Sequence, residues 1–228
     1  MKDLILYYHL FAINDWEDIW HEHLSTIESS GLNKVSQLHV CVSGTDRANA
    51  ISKLKNNTIL FLTSEYHCVD ENNYEWSTLR KLWKSVQNHG SYCLYFHTKG
   101  VTQSGQKRIH INSWRRYLNH FCISRWKDCV GALEAFADLA GCQYKAETQY
   151  YPCHYSGNFW CASSDYIKTL PDPSSFNGDR LQAEFWSCRA THKALSFCST
   201  DVCMYDQPIY PETYIDKALE PVLYQFTA

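Results

Sequence analysis

Short apolar runs without polar alternation recur along this chain, and between them lie stretches whose apolar residues fall three and four apart. Runs of the first kind read as strands buried on both faces, stretches of the second as helices with one buried side. Leu4 to Leu10 is the first strand. Asn14 or Asp15 then caps a helix that turns Trp16, Ile19, Trp20, Leu24 and Ile27 to one face and ends at Gly31. Val35 to Val42 is a second strand closed by Ser43-Gly44, Asp46 to Leu54 a short helix, and Thr58 to Thr63 a third strand. A polar loop, Glu65 to Asn73, leads into a helix opening at Tyr74-Glu75-Trp76-Ser77-Thr78, with Leu79, Leu82, Trp83 and Val86 on one face. Through His89-Gly90 this helix feeds a strand beginning at Tyr92. Such alternation predicts an α/β fold, a mostly parallel central sheet flanked by helices. Right-handed crossovers place the loops after these strands on one edge, gathering Tyr8, His9, Gly44, Glu65 and His97 there.

The stretch Tyr92 to Gly100, Tyr-Cys-Leu-Tyr-Phe-His-Thr-Lys-Gly, organises the rest. Five bulky or apolar residues give way at once to a ring nitrogen (His97), a hydroxyl (Thr98) and a cation (Lys99), and Gly100 lets the backbone turn away. The carboxyl edge of an open α/β sheet is where ligands bind. The plainer alternative is a strand that ends in a polar loop.

Past Gly100 the pattern changes. Val101 to Asn112 reads as a polar loop, followed by a long helix capped by Asn112 or Ser113, with the stripe Trp114, Tyr117, Leu118, Phe121, Trp126, Cys129, Val130, Leu133 and Phe136 and a break near Ser124. Arg115 and Arg116 then fall one turn into that helix, where its dipole disfavours a cation, so anion contact accounts for them; a solvated face is the alternative. Ala140 to Tyr144 is a further strand. The second concentrated stretch, Tyr150 to Ala162, mixes turn residues with large aromatics before becoming strand-like. Ser164 caps a short helix, Asp165 to Leu170, stopped by Pro171. Asp179 to Arg189 reads as a helix with Leu181, Phe185 and Cys188 inward, and the last forty residues, with Pro208, Pro211 and Pro221, as an irregular wrap.

Composition narrows the choices. At 228 residues one domain is the economical reading. A net charge of −3 without basic runs argues against nucleic acid as a partner. The 11 cysteines are odd in number and follow no secretory signal, which reads as reduced thiols and a cytoplasmic protein. No apolar run reaches membrane-spanning length. Zinc is set aside, because no Cys-x-x-Cys occurs, Cys198 and Cys203 lack a close second pair, and His21 and His23 sit on different helix faces. The sequon Asn56-Asn57-Thr58 carries little without secretion.

Three segments in order, Phe96-His97-Thr98-Lys99-Gly100, Ser113-Trp114-Arg115, and His154-Tyr155-Ser156-Gly157-Asn158-Phe159-Trp160-Cys161-Ala162 followed by Ala183-Glu184-Phe185-Trp186, resemble small glycosyltransferase-like proteins of polysaccharide-synthesis clusters and large DNA viruses. They are more distantly similar to the rhamnan-synthesis F family. The resemblance runs from Tyr8 to about Arg189. It implies a GT-A-like (Rossmann-like) domain, with a nucleotide-sugar half over about 1–100, an acceptor half over about 101–228, a UDP-, GDP- or dTDP-sugar donor and a glycan acceptor. The GT-A pattern places Asp-x-Asp after the central strand to hold manganese or magnesium on the diphosphate. Here His97-Thr98-Lys99 stands in that place. Lys99 with His97, aided by Arg115, then neutralises the leaving diphosphate with no metal required, a divalent ion being the alternative.

By the same resemblance Glu184 is the base of an inverting transfer, with Asp179 as runner-up and an exposed helical glutamate as the plainer reading. Glu75 and Thr78 fall where such proteins contact the donor; capping is the alternative. Tyr8 and His9 flank a base and ribose, or are buried aromatics with satisfied polar tips. Tyr155, Ser156, Gly157, Asn158 and Trp160 suit a wall for acceptor or donor sugar, with Trp160 equally suited to the core. A non-catalytic sugar- or nucleotide-binding module is the second reading. An unrelated nucleotidyltransferase or hydrolase lacks its glycine-rich loop, its Gly-x-Ser-x-Gly elbow or its paired carboxylates here.

Overall fold

Leu6 to Leu10 are all buried, and around them Asp3–Phe11 forms β1 in the middle of an eight-stranded sheet. The computed structural model describes residues 2–57, 59–69, 74–88, 90–176, 178–217 and 219–228. In chain order the elements are α1 (Trp16–Ser29), β2 (Ser36–Ser43), α2 (Arg47–Lys55), β3 (Ser64–Cys68), α3 (Trp76–Val86), β4 (Ser91–His97), α4 (Gly105–Leu118), α5 (Trp126–Ala135), β5 (Leu139–Gly141), β6 (Tyr144–Lys145), β7 (His154–Tyr155), β8 (Trp160–Ser163), α6 (Ser164–Ile167), α7 (Arg180–Phe185), β9 (His192–Ser196) and β10 (Val222–Phe226). The strand order is β10-β9-β5-β8-β4-β1-β2-β3. β4, β1, β2 and β3 run parallel, as do β5 and β9, while β8 is antiparallel to both neighbours and β10 to β9.

Both faces of the sheet are covered, which is why its central strands show no polar alternation. Leu4, Leu6, Tyr8 and Leu10 of β1, with Leu94 and Phe96 of β4, pack on α1, α4 and α5 through Trp16, Trp20, Trp114 and Cys129. Tyr7, Cys93 and Tyr95 point the other way, onto α3 and α7 through Trp76, Leu79 and Ala183. This is the mostly parallel, helix-flanked α/β sheet that the periodicity predicts.

Several elements depart from expectation. The third strand is not Thr58 to Thr63 but β3, where the polar pattern predicts a loop; Thr58, like 70–73 and 89, lies outside the described residues. β3 pairs on one side only, with β2, so polar Ser-Glu-Tyr-His-Cys serves and no apolar signal marks it, whereas Leu60 and Leu62 are exposed. The helix expected from Asn112 begins at Gly105, capped at Ser104, because its first turns are largely exposed and carry no apolar stripe. Arg115 and Arg116 therefore fall in its last turn, where the dipole favours cations, and the dipole argument for anion contact fails. The expected break appears as a π-helical stretch, Asn119–Ser124. Ser163, not Ser164, caps α6. Leu181 is exposed rather than inward. The C-terminal wrap supplies β9 and β10, two strands of the sheet.

Candidate active site

Parallel register sets His9 beside His97 at the carboxyl ends of β1 and β4, and a cavity of about 130 Å³ opens above them. Its floor is His9, His97, Thr98 and Lys99, and its walls come from Glu75 at the start of α3, the Gly100–Gln103 turn, Arg180 at the start of α7, and Tyr205.

Both histidines are neutral. His9 has Nδ1 2.9 Å from Thr78 Oγ1 and Nε2 3.2 Å from Ser43 Oγ, and burial pushes its pKa down to about 4. His97 Nε2 donates to Gly157 O at 3.1 Å, and burial, with the Lys99 ammonium next, pushes its pKa down to about 3. That tautomer leaves Nδ1 as a bare acceptor, 3.7 Å from Glu75 Oε1. Two acceptors thus face each other across the cavity wall, an arrangement that a hydroxyl donor on a ligand would complete.

Glu75 is held on its other oxygen. Oε2 accepts from Tyr95 Oη at 2.8 Å and Asn158 Nδ2 at 2.5 Å, and Asn158 Oδ1 in turn accepts from Trp160 Nε1 at 2.9 Å. Glu184 Oε1 accepts from Gly157 N at 2.9 Å, so Glu184 and His97 grip the two sides of one peptide turn. Gly157 and Asn158 both have positive φ, 95° and 56°, and a Cβ at Gly157 would lie 2.7 Å from Leu118 Cδ1, so the turn needs glycine there.

Lys99 is the cation of the cavity floor. Its ammonium lies 3.6 Å from the Trp114 ring centroid, and burial, opposed by the Glu184 and Glu75 carboxylates, pushes its pKa down to about 8. Thr98 Oγ1 accepts from Phe11 N, which ties the strand end to β1.

Other predicted residues stand behind the cavity. Tyr8 is in the core, stacked on Phe96 and Trp20 with its hydroxyl on His23 Nδ1. Gly44, at φ 98°, packs so tightly on Ala12 that a Cβ would meet Ala12 O at 2.6 Å. Glu65 lies on β3 beside His39, away from this edge. Arg115 is buried with its guanidinium on Glu22, Lys99 O and Asn112 Oδ1. Tyr155 and Trp160 are fully buried, Tyr155 Oη donating to Leu195 O, and Ser156 N donates to Gln143 O. Asp179 caps α7, its Oδ1 accepting from Leu181 N.

The cavity also uses residues the sequence did not single out, Phe11, Tyr74, Arg180 and Tyr205. Arg180 carried a readable signal: it is the first residue of a helix, where the dipole disfavours a cation. Tyr205 comes from an irregular segment with no pattern to mark it.

Glu75 Oε2 and Glu184 Oε1 accept from protein donors, and among the described residues no cluster of three potential metal ligands lies at this cavity.

A family model described as Domain of unknown function (DUF8361) matches residues 7–203. No curated protein matches the sequence. Among solved structures, HddC from Yersinia pseudotuberculosis aligns with TM-score 0.50 and 11% identity over 87% of this chain and 91% of its own. A protein described as a nucleotide-diphospho-sugar transferase from Desulfovibrio desulfuricans G20 aligns at 0.44 with 10% identity, over 82% of this chain and 74% of its own. A 4-diphosphocytidyl-2C-methyl-D-erythritol synthase aligns at 0.41 with 10% identity, over 94% and 96%. The first of these likenesses is one of fold.

Proposed function

The chain belongs to the DUF8361 family, a domain of unknown function, and we propose that it is an inverting glycosyltransferase moving a sugar from a nucleotide-diphosphate sugar to a glycan or other hydroxyl acceptor. The observation that carries this reading is the buried Lys99, which with Arg180 lines a cavity at the carboxyl edge of the sheet. A departing nucleoside diphosphate is stabilised by fixed cations placed where its charge develops, and in a water-poor cavity such charges count for more. Lys99 and Arg180 fill that role, with the Thr98 strand end fixing Lys99 in place. Arg115 supports them from behind through Lys99 O.

The chemistry balances simply. The acceptor oxygen bonds to the anomeric carbon as the bond from that carbon to the diphosphate oxygen breaks, its electron pair staying on the diphosphate, and the acceptor proton passes to Glu184. Glu184 Oε1 is fixed by Gly157, so Oε2 takes the proton. A hydroxyl of the donor sugar fills the gap between His97 Nδ1 and Glu75 Oε1. In this reading residues up to about 100 supply the nucleotide-sugar half, with His9, Phe11 and Tyr74 toward the nucleotide, and the remainder supplies the acceptor half. Neither manganese nor magnesium is required, and the reaction serves polysaccharide assembly.

Calorimetric titration with UDP-, GDP- and dTDP-sugars, with and without manganese, tests the proposal. Binding of one donor class that survives chelation and weakens more than tenfold in Lys99→Ala supports it, and failure of every donor to bind defeats it. A binding module without transferase activity is the second reading, favoured by the engagement of Glu75, which lines the cavity, and of Glu184, which does not, with protein donors. Slow hydrolysis of the bound donor decides for the enzyme.

A further inference from the structure

On the face of the sheet that carries α3, one strand in from the edge, His39 of β2 faces Glu65 and His67 of the edge strand β3. Glu65 Oε2 lies 3.0 Å from His39 Nδ1 and 3.2 Å from His67 Nε2, and all three donor atoms fall within 4.8 Å of one another. Ligands 2.0–2.1 Å from a tetrahedral ion stand about 3.3 Å apart, so the three donors are spaced as ligands of one ion.

A second observation points the same way. His39 Nδ1 and His67 Nε2 are both shielded from solvent, yet neither has a hydrogen-bond partner; the contacts to Glu65 have the length of a hydrogen bond without its direction. Buried ring nitrogens with nothing to bond are uncommon. Stacking of His39 between Tyr7 (centroids 5.2 Å, 12°) and His67 (6.3 Å, 16°) fixes the rings so that these nitrogens stay together.

We propose that His39, Glu65 and His67 bind one zinc-class divalent ion, with water at the remaining position, and that the ion ties edge strand β3 to the sheet. Two imidazoles and a carboxylate suit a first-row transition ion rather than calcium or magnesium. The edge strand has reason to need such a tie: β3 is mostly exposed and pairs on one side only. Lys81, whose ammonium lies 3.1 Å from the same Glu65 oxygen, is the group the ion displaces. The other cluster of three potential ligands, Cys153, Cys188 and His192, is less available, since both His192 nitrogens are already hydrogen-bonded. The proposal is independent of the glycosyltransferase reading.

The test is titration of the chelator-treated full chain with cobalt(II), zinc and magnesium, followed by absorption and thermal melting. The expected result is one cobalt bound with tetrahedral d–d bands and no thiolate charge transfer, and a melting temperature raised by zinc but not by magnesium. His67→Ala, at a partly exposed position, should lose more affinity than the roughly 10–100-fold that follows loss of an outer partner. Glu65→Gln should weaken binding as well, and Lys81→Met should strengthen it. Absence of binding, binding unchanged in His67→Ala, or a thiolate band placing the ion on cysteine would each overturn the proposal.

Discussion

Asn158 donates from Nδ2 to Glu75 Oε2 at 2.5 Å while its Oδ1 accepts from the Trp160 indole, so the amide can lie only one way round. A tryptophan with no exposure thereby sets the orientation of a cavity carboxylate.

Trp160→Phe keeps most of the ring and deletes that N–H. Leaving Asn158 Oδ1 without its partner should cost about 1–3 kcal/mol, read as a lowered urea midpoint. With Oδ1 unpartnered the Asn158 side chain is held less firmly against Glu75 Oε2, and turnover should fall by about tenfold or more, beyond what the stability loss explains. Full turnover in the folded variant would show that the orientation does not matter to the site.

In the proposed site, Lys99 would set a pH limit on donor binding. With its pKa pushed down to about 8, the free site loses its ammonium as pH rises through that value. Affinity for a nucleoside diphosphate should therefore weaken above pH 8, and in Lys99→Met it should be low and flat across the same range. A parallel fall in the variant would assign the effect to another group.

Acid should destabilise the fold through His9 and His97. Their pKa values, about 4 and about 3, lie below the ordinary 6.5, so between those limits the unfolded chain binds protons that the native state refuses. Stability is then full above pH 6.5 and falls as pH drops toward 4, by about 2 kcal/mol per imidazole from pH 6.5 to 5. Urea midpoints at pH 7 and 5 check this, and the drop should be smaller in His97→Gln.

Glu22 accepts from Arg115 Nε, Arg115 Nη2, Asn119 Nδ2 and Arg116 Nε. Glu22→Ala leaves the buried Arg115 guanidinium without its counterion, which should cost about 3 kcal/mol, the low end for a broken buried pair because the Glu22 side chain keeps 21% exposure. Chemical denaturation measures the loss. Donor affinity should weaken with it, because Arg115 also holds Lys99 O; an unchanged affinity would separate that support from the site.

What the sequence disclosed follows from where each element sits. β1, β2 and β4 are covered on both faces, so their composition announces them, and the abrupt change at His97 locates the floor of the cavity. β3 is an edge strand made largely of polar residues, β10 is the opposite edge strand directly after Pro221, and β9, though paired on both sides, is five residues that include His192, Lys193 and Ser196, so none of the three carries a core signature. The start of α4 went unseen for the same reason, and with it the true position of Arg115. Residues on the neighbouring strands could be assigned to the sheet edge but not to one of its faces. Tyr8 and His9 are adjacent, yet strand alternation sends one into the core and the other to the cavity. Partnerships across the fold, such as Glu22 with Arg115 or Trp160 with Asn158, depend on side-chain packing that spacing does not encode.

β8 runs against its neighbours, so the residues before it, not after it, reach His97 and Glu75 at the cavity wall. Gly157 and Asn158 are delivered by the lead-in to a strand, while His97 and Lys99 are delivered by the exit from one. The turn at Gly157 and the end of β4 can therefore diverge independently. Segment 146–153 can lengthen, shorten or change character upstream of that turn, while the β4 end that carries Lys99 stays as it is. One framework can in this way alter one side of a site and keep its floor.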